Sequence, residues 1–403
     1  MKKIVLFFLS VISLSAYCQE NITFTQSIKN LYAAGSHPDV AIRNEATEKA
    51  WNQIKASGIP FVKGDSVAFL FRGEATTVDW MGDFNGWGFR KTFHNKGKKI
   101  HGTNIWILRA SFPKDARLDY KILANSHQWL LDPENPHQQW SGVGGGSPNS
   151  ELRMPLWKAD PIQTEVPGIA HGVIKRDILF ASKILGYQIT YSVYVPASYE
   201  KAGKLPVLYV TDGYEYLLPE LGNMATVLDN LIAQKKIPPI IAIFVDHREP
   251  INRSNNRRMD ELNLNEKYLK FFADELIPGV ESQYPILSDA AHRAILGTSM
   301  GGLTAAYFAF TRPDLFTMAG IQSPAFGTRP QIYAMCENLK GTTLKVSMTT
   351  GLINDASEGS TKMKEVLEKN ACVYQYRESN EGHSWGNWRS TIDDILIDLF
   401  GVK

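Results

Sequence analysis

Hydrophobic spacing divides the chain into three stretches. Residues 20–58 look helical and polar, as in "NEATEKAWNQIKASG", and predict a helical lead-in packed on the next domain. From about residue 59 to 157 the pattern changes to short runs, "SVAFLFRG", "TTVDWMGDFNGW", "NIWILRASF" and "RLDYKILAN". They are aromatic and β-branched, and turn residues separate them, which predicts a β-sandwich. From about 172 to 403 the pattern is α/β. "YQITYSVYVPASY" alternates and finds a partner strand in "HGVIKRDILFAS" before it. "LPVLYVTDG" and "PPIIAIFVD" are continuous apolar runs, as in central parallel strands. "NEKYLKFFADELIPGVESQY" places Leu269, Phe272, Ala273, Leu276 and Val280 on one helical face. Further strands are expected near 317–323, 343–350 and 373–378, with a helix near 358–370. The expected fold class is therefore α/β with one mainly parallel sheet, preceded by a β-sandwich. Between them, "GVGGGSPNSELRMPLW" reads as a loop, because it lacks the Lys-Ser/Thr and the helix of a phosphate cradle.

Composition changes this picture little. The 403 residues suit two or three domains, and a net charge of +2 leaves no electrostatic footprint for nucleic acid. The start does add something. "MKKIVLFFLSVISLSAYCQE" has two lysines, a short apolar run and small residues, and residues 1–18 read as a signal peptide. Cleavage near Ala16-Tyr17-Cys18 would send the mature chain to the periplasm or outside the cell. Lipidation at Cys18 is the alternative, which the bulky Tyr17 disfavours. No later segment is apolar enough to cross a bilayer. Cys336 and Cys372 then remain, and whether they pair is open; no C-x-x-C spacing exists.

The chemistry starts at "GTSMGG", residues 297–302. This fits G-x-S-x-G, the turn that lifts a serine above a sheet between a strand and a helix. The flanks agree: "RAIL" is a short apolar run, and "LTAAYFAFTRPDLF" is Ala-rich, glycine-free and closed by Pro313. Ser299 is therefore the candidate nucleophile. A serine needs a base, and the base needs an orienting acid. After Ser299 there is one histidine, His383 in "NEGHSWGNWR". In the order Ser, acid, His, "LKVSMTTGLINDASEG" offers Asp355 in a loop after an apolar strand. Glu358, Glu378 and Glu381 are the runners-up, and Asp314 reads as a turn residue after the elbow helix. Oxyanion donors are expected from the N–H of Met300 and from Tyr214 or Gly213, in the turn after "VLYVTD". A metal hydrolase would need a ligand motif such as H-E-x-x-H, and the chain has none; Asp246 and His247 side by side are a weak signal. No metal or cofactor is expected.

Two resemblances add to this reading. The "GDFNGW" at 82–87 resembles the immunoglobulin-like early-set modules found beside glycogen- and starch-active enzymes. That resemblance implies an immunoglobulin-like sandwich at 59–157 and a polysaccharide contact, with Trp80, Trp129 and Trp140 as candidate stacking residues. Phe84 and Trp87 read better as packing residues at a strand corner. Residues 172–400 resemble the putative-esterase group of α/β-hydrolases, through "VYVPASY", "LPVLYVTDG", "GTSMGG", "TGLIND" and "NEGHSWGNW". That group includes esterase D, feruloyl and acetyl-xylan esterases, mycolyltransferases and enterochelin esterase. It implies an α/β-hydrolase domain at 172–403 and a Ser299–Asp355–His383 triad forming an acyl-enzyme. Arg258-x-x-Glu261-Leu262 looks like the enterochelin esterase branch, while "SMGG" and "GDFNGW" look equally like secreted polysaccharide esterases. Arg258 and Glu261 are thus substrate contacts or an i,i+3 surface ion pair. Trp385 is expected to line the pocket, with Trp388 packed beneath it. The expected substrate is a siderophore-type or acylated-saccharide ester. An acyltransferase with the same triad and a carbohydrate-binding protein are the alternatives.

Overall fold

The computed structural model describes residues 23–402 apart from 90–93, 143–146, 198, 200–202, 340–343 and 371. The export signal read at 1–18 and most of the glycine run lie outside the described residues.

The lead-in forms two helices, Phe24–Gly35 and Val40–Lys55. Thr23 and Asp39 cap them, each accepting a backbone N–H through its side chain. Their apolar side, Phe24, Ile28, Leu31, Trp51 and Ile54, is buried against Leu70, Ile105 and Ile107 of the adjoining sheet and Ile100 beside it.

That sheet is antiparallel, in the order β1-β2-β5-β4: β1 Phe61–Lys63, β2 Ser66–Arg72, β4 Lys98–Lys99 and β5 Ile105–Ser111. A second sheet runs β3-β6-β9-β8, from β3 Val78–Gly82, β6 Arg117–Ala124, β8 Gln138–Trp140 and β9 Pro148–Arg153; β7, Gln128–Leu130, adds to β6. The two close over one core in which Phe69 packs on Trp80, Phe84, Phe112 and Tyr120. Alternation sets which residues enter it. Val78 and Trp80 share a face of β3 and are buried. Of the three candidate stacking residues, Trp80 is therefore no sugar platform, whereas Trp129 and Trp140 remain 51% and 40% exposed. Phe84 is buried, and Trp87 donates its indole N–H to Asp83.

The remainder is one eight-stranded sheet in the order β10-β11-β13-β12-β14-β15-β16-β17. Its strands are β10 Val173–Ala181, β11 Gln188–Val195, β12 Val207–Val210, β13 Ile241–Asp246, β14 Arg293–Thr298, β15 Met318–Gln322, β16 Lys345–Gly351 and β17 Val373–Ser379. Only β10 and β11 pair antiparallel with their neighbours; from β13 to β17 the sheet is parallel. The central strands are apolar throughout because both faces are covered. Val207, Tyr209, Ile243 and Ile295 enter a core beneath the helices Glu266–Phe271, Met300–Thr311 and Ser357–Lys369. The alternate residues Leu208, Val210, Phe244 and Leu296 face Met224–Ala233 and Ile392–Phe400. The amphipathic stretch read at 265–284 continues from Glu266–Phe271 through a π-helical turn, Phe272–Leu276, into Ile277–Glu281. Among the described residues, no helix is long and apolar enough to cross a membrane.

Candidate active site

The site is built at the carboxyl ends of the parallel strands. β14 ends at Thr298 and a helix begins at Met300, so Ser299 alone makes the turn, at φ 57° and ψ −114°. For a residue with a side chain this is strained backbone. The surroundings hold it in place: Ser299 N–H donates to Gln322 O at 2.9 Å, and Ser299 O accepts from Leu303 and Ala325 N–H, each at 3.0 Å. Closeness explains the glycines. A Cβ on Gly297 would lie 2.3 Å from Gly301 O, and one on Gly301 would lie 2.4 Å from Thr211 Oγ1.

Two loops converge on the hydroxyl. His383 comes after β17, and its Nε2 lies 2.9 Å from Ser299 Oγ. Asp355, four residues past the end of β16, lies 2.5 Å through Oδ1 from His383 Nδ1. A carboxylate only accepts, so Nδ1 carries the proton and Nε2 is free to accept from the serine. The Asp355 side chain is fully buried, and that of His383 is 40% exposed. Burying a charge needs donors. Oδ2 of Asp355 accepts from Gly351 N–H at 2.5 Å, Ser323 Oγ at 2.6 Å and, at 3.4 Å, from Asn387 Nδ2. Trp388 steadies this set by donating its indole N–H to Ser323 at 2.9 Å, and its ring meets His383 edge-on at 4.9 Å.

Ser299 and His383 open on a cavity of about 650 Å³. Trp385 and Trp388 both line it, so Trp388 is a wall as well as the packing residue expected. Arg248, Arg253 and Arg258 line it too, each paired with a carboxylate, and the guanidinium carbons of the first two lie 4.4 and 5.5 Å from the Tyr214 ring. Ser141 and Gly142, from the segment after β8, close another side. Nothing in the sequence pattern marked these two, nor Arg248 and Arg253.

Arg258 reaches the cavity but is no surface partner of Glu261. It forks onto Asp212, Nε to Oδ1 at 2.6 Å and Nη2 to Oδ2 at 3.1 Å, and also donates to Thr298 O at 3.1 Å. It thereby ties the strand before Ser299 to the turn before Gly213. Burial pushes the Asp212 carboxyl up, but Arg258 and His247 bring it below its usual value. Glu261 does not line the cavity. It is buried beneath Tyr187, which donates to it at 2.8 Å, and burial lifts its pKa to about 8. Burial and the neighbouring Asp212 charge likewise raise Glu215 to about 7, although Arg248 forks onto it. Asp212, Glu215 and His247 each bring one potential metal-ligand atom within 4.8 Å of the others. The two arginines on their carboxylates make this an ion-pair network.

Met300, Gly213 and Tyr214 stand in the first turns of two helices, Met300–Thr311 and Gly213–Leu217. Leading N–H groups of a helix have no acceptor within it. Gly213 is held where a Cβ would lie 2.4 Å from the Phe244 carbonyl carbon. Of the other acid candidates, Glu381 is engaged with Arg117 and Trp157 and Glu378 with Tyr376, while Glu358 is exposed in the first turn of Ser357–Lys369; Asp314, read as a turn residue, pairs with Arg312. Cys336 and Cys372 are both free thiols.

A serine at an elbow, hydrogen-bonded to a histidine over the edge of a mainly parallel sheet, defines a class of hydrolase. The model of the "Putative esterase" family matches residues 182–399, and the chain belongs to that family. It is accordingly an esterase. It is 24% identical over 294 residues to the iron(III) enterobactin esterase of Escherichia coli O6:H1, covering 68% of each chain. Over 165 residues it is 32% identical to an endo-1,4-beta-xylanase/feruloyl esterase of Xylanibacter ruminicola, which is 38% of this chain and 22% of that protein. The crystal structure of ferric enterobactin esterase from Salmonella typhimurium shares the fold, with a TM-score of 0.70 at 19% identity over 87% of this chain and 98% of the other.

Proposed function

We propose that the protein is a serine esterase that works through an acyl-enzyme. The observation that carries this is the unbroken line Ser299 Oγ, His383 Nε2, His383 Nδ1, Asp355 Oδ1 at the wall of a cavity. Ser299 Oγ attacks the ester carbonyl while His383 takes its proton. Asp355 holds the imidazole tautomer and stabilises the imidazolium. The tetrahedral oxyanion lies against the N–H groups of Met300 and of Tyr214 or Gly213. His383 returns the proton to the departing alcohol. Water, deprotonated by the same imidazole, then releases the acid and restores Ser299.

The substrate proposed is a siderophore-type or acylated-saccharide ester. The arginine and tyrosine wall of the cavity suits a polar aromatic group, and relatives are named both for enterobactin and for feruloyl esters. The paired sheets ahead of the hydrolase are proposed as an early-set, immunoglobulin-like module, on the strength of "GDFNGW" and of the two antiparallel sheets. The exposed Trp129 and Trp140 are its candidates for polysaccharide contact. The leading residues support export.

A panel of p-nitrophenyl acetate, methyl ferulate, acetylated xylan and a ferric catecholate trilactone, each with wild type and Ser299→Ala, tests the reading. Serine-dependent turnover is expected, and the best substrate assigns the branch. Most of the activity surviving in Ser299→Ala would sink the mechanism.

A further inference from the structure

The loop that carries His383 is held from outside the hydrolase. Arg117, at the start of β6, is 1% exposed and sits between the two halves of the chain. Its backbone N–H donates to Asn380 O at 3.3 Å, as part of a parallel bridge between Arg117 and Glu381. Its guanidinium donates to Ser384 Oγ at 3.3 Å and meets Glu381 Oε2 at 3.5 Å. Its remaining donors go to Glu151, at 3.0 Å, and to Asp119 on its own side. Residues on both sides of His383 therefore answer to one side chain.

Other contacts point the same way. Trp157 donates to Glu381 Oε1 at 3.3 Å, and Asn380 donates to Asp115 at 2.9 Å. The loop is shaped to receive the arginine. A Cβ on Gly386 would fall 1.9 Å from the Arg117 guanidinium, and one on Gly382 would fall 2.3 Å from Asp83 Cβ. The Asp355 loop is gripped too, since Asn354 Nδ2 donates to Asp83 O at 2.9 Å. The two loops also meet each other, through Ile353 N–H on Glu381 O at 3.1 Å.

Resting on the Ser299–His383–Asp355 triad, we propose that Arg117 is a positioning residue for His383, so that the sheets ahead of the hydrolase complete its active site. Arg117 touches no substrate. It fixes the 380–386 loop so that the imidazole stands over Ser299, and a shift of an ångström there costs about 100-fold in rate.

The test uses the full chain and four variants: Arg117→Gln, Arg117→Lys, Ser384→Ala and Ser299→Ala. Active-site titration with an uncharged fluorophosphonate gives the fraction of competent sites and the rate of labelling per site. Steady-state assays on p-nitrophenyl acetate give kcat and KM. Arg117→Gln is expected to lower kcat and the labelling rate per site together, by 10- to 100-fold, with KM within about twofold. Arg117→Lys, which keeps the charge and loses the fork, should fall between. Ser384→Ala breaks one link while leaving the arginine paired with its carboxylates, and should lose several-fold. A merely structural role would reduce the number of competent sites and leave the rate at each unchanged. That result overturns the proposal, and if Arg117→Gln does not fold, Ser384→Ala with wild-type rates overturns it alone. Labelling or turnover that persists in Ser299→Ala would instead refute the triad itself, whatever the arginine variants do.

Discussion

Replacing Glu261 by Gln should stabilise the protein, and by an amount set by pH. Glu261 is 2% exposed, accepts one hydrogen bond from Tyr187 and has no partner for Oε2 among the described residues. Burial is the main cause that lifts its pKa from 4.5 to about 8, with Asp246 and Asp260 adding to it and Tyr187 and Arg257 opposing. Below pH 4.5 the folded and unfolded chains both hold the proton. Between 4.5 and 8 the unfolded chain releases it and the folded chain does not, so folded stability falls as pH rises and levels off above 8. At about 1.4 kcal/mol per pH unit, the full loss is of order 5 kcal/mol. Glutamine keeps an acceptor for Tyr187 and never ionises, so Glu261→Gln escapes that loss. Urea midpoints of the two proteins should nearly coincide at pH 5 and differ by one to two molar, roughly, at pH 9. Taking the difference between the proteins removes Glu215, Glu381 and Asp393, which titrate at about 7 in both. A gap that stays constant from pH 5 to pH 9 would refute the reasoning, because a lost contact has no such pH slope.

Two further outcomes are expected. Asp355→Asn should fold normally and lower kcat by about 10⁴-fold, since an amide cannot hold the Nδ1–H tautomer as a carboxylate does; circular dichroism and steady-state kinetics check both halves. Trp80→Ala should cost roughly 3–5 kcal/mol of stability, while Trp129→Ala on the outer face stays within about 0.5 kcal/mol; thermal melts of the pair separate the two faces.

What could be read from the sequence was what local geometry dictates. The elbow needs glycines at 297 and 301 within a few residues of the serine, so six letters suffice to suggest it. Chain order then leaves one histidine after Ser299, and the end of β16 leaves Asp355. The apolar runs of β12 and β13 are unbroken because helices cover both faces, and that too is visible in one dimension. The misreadings arose where a side chain's partner lies far along the chain. Arg258 and Glu261 sit three apart, yet one pairs with Asp212 and the other is buried under Tyr187. Ser323, which supports Asp355, carries no motif, and Trp388, legible within "NEGHSWGNW" as a packing residue, gave no sign that it donates to Ser323. Tryptophan content gave no faces; strand phase does, placing Trp80 with Val78 inside and Trp129 outside.

The charge shared between Arg117 and Glu381 bears on how such chains diversify. Units joined by a linker are free to be traded between genes. These two meet over a guanidinium that neither half encloses alone, and a chimera whose leading half lacked it would bury Glu381 beside Trp157 with no cation to answer it. Orphaning one member of a buried pair costs about 3–5 kcal/mol, a large part of a domain's stability. Exchanging the leading half of this chain alone is therefore expected to destabilise the half that carries Glu381.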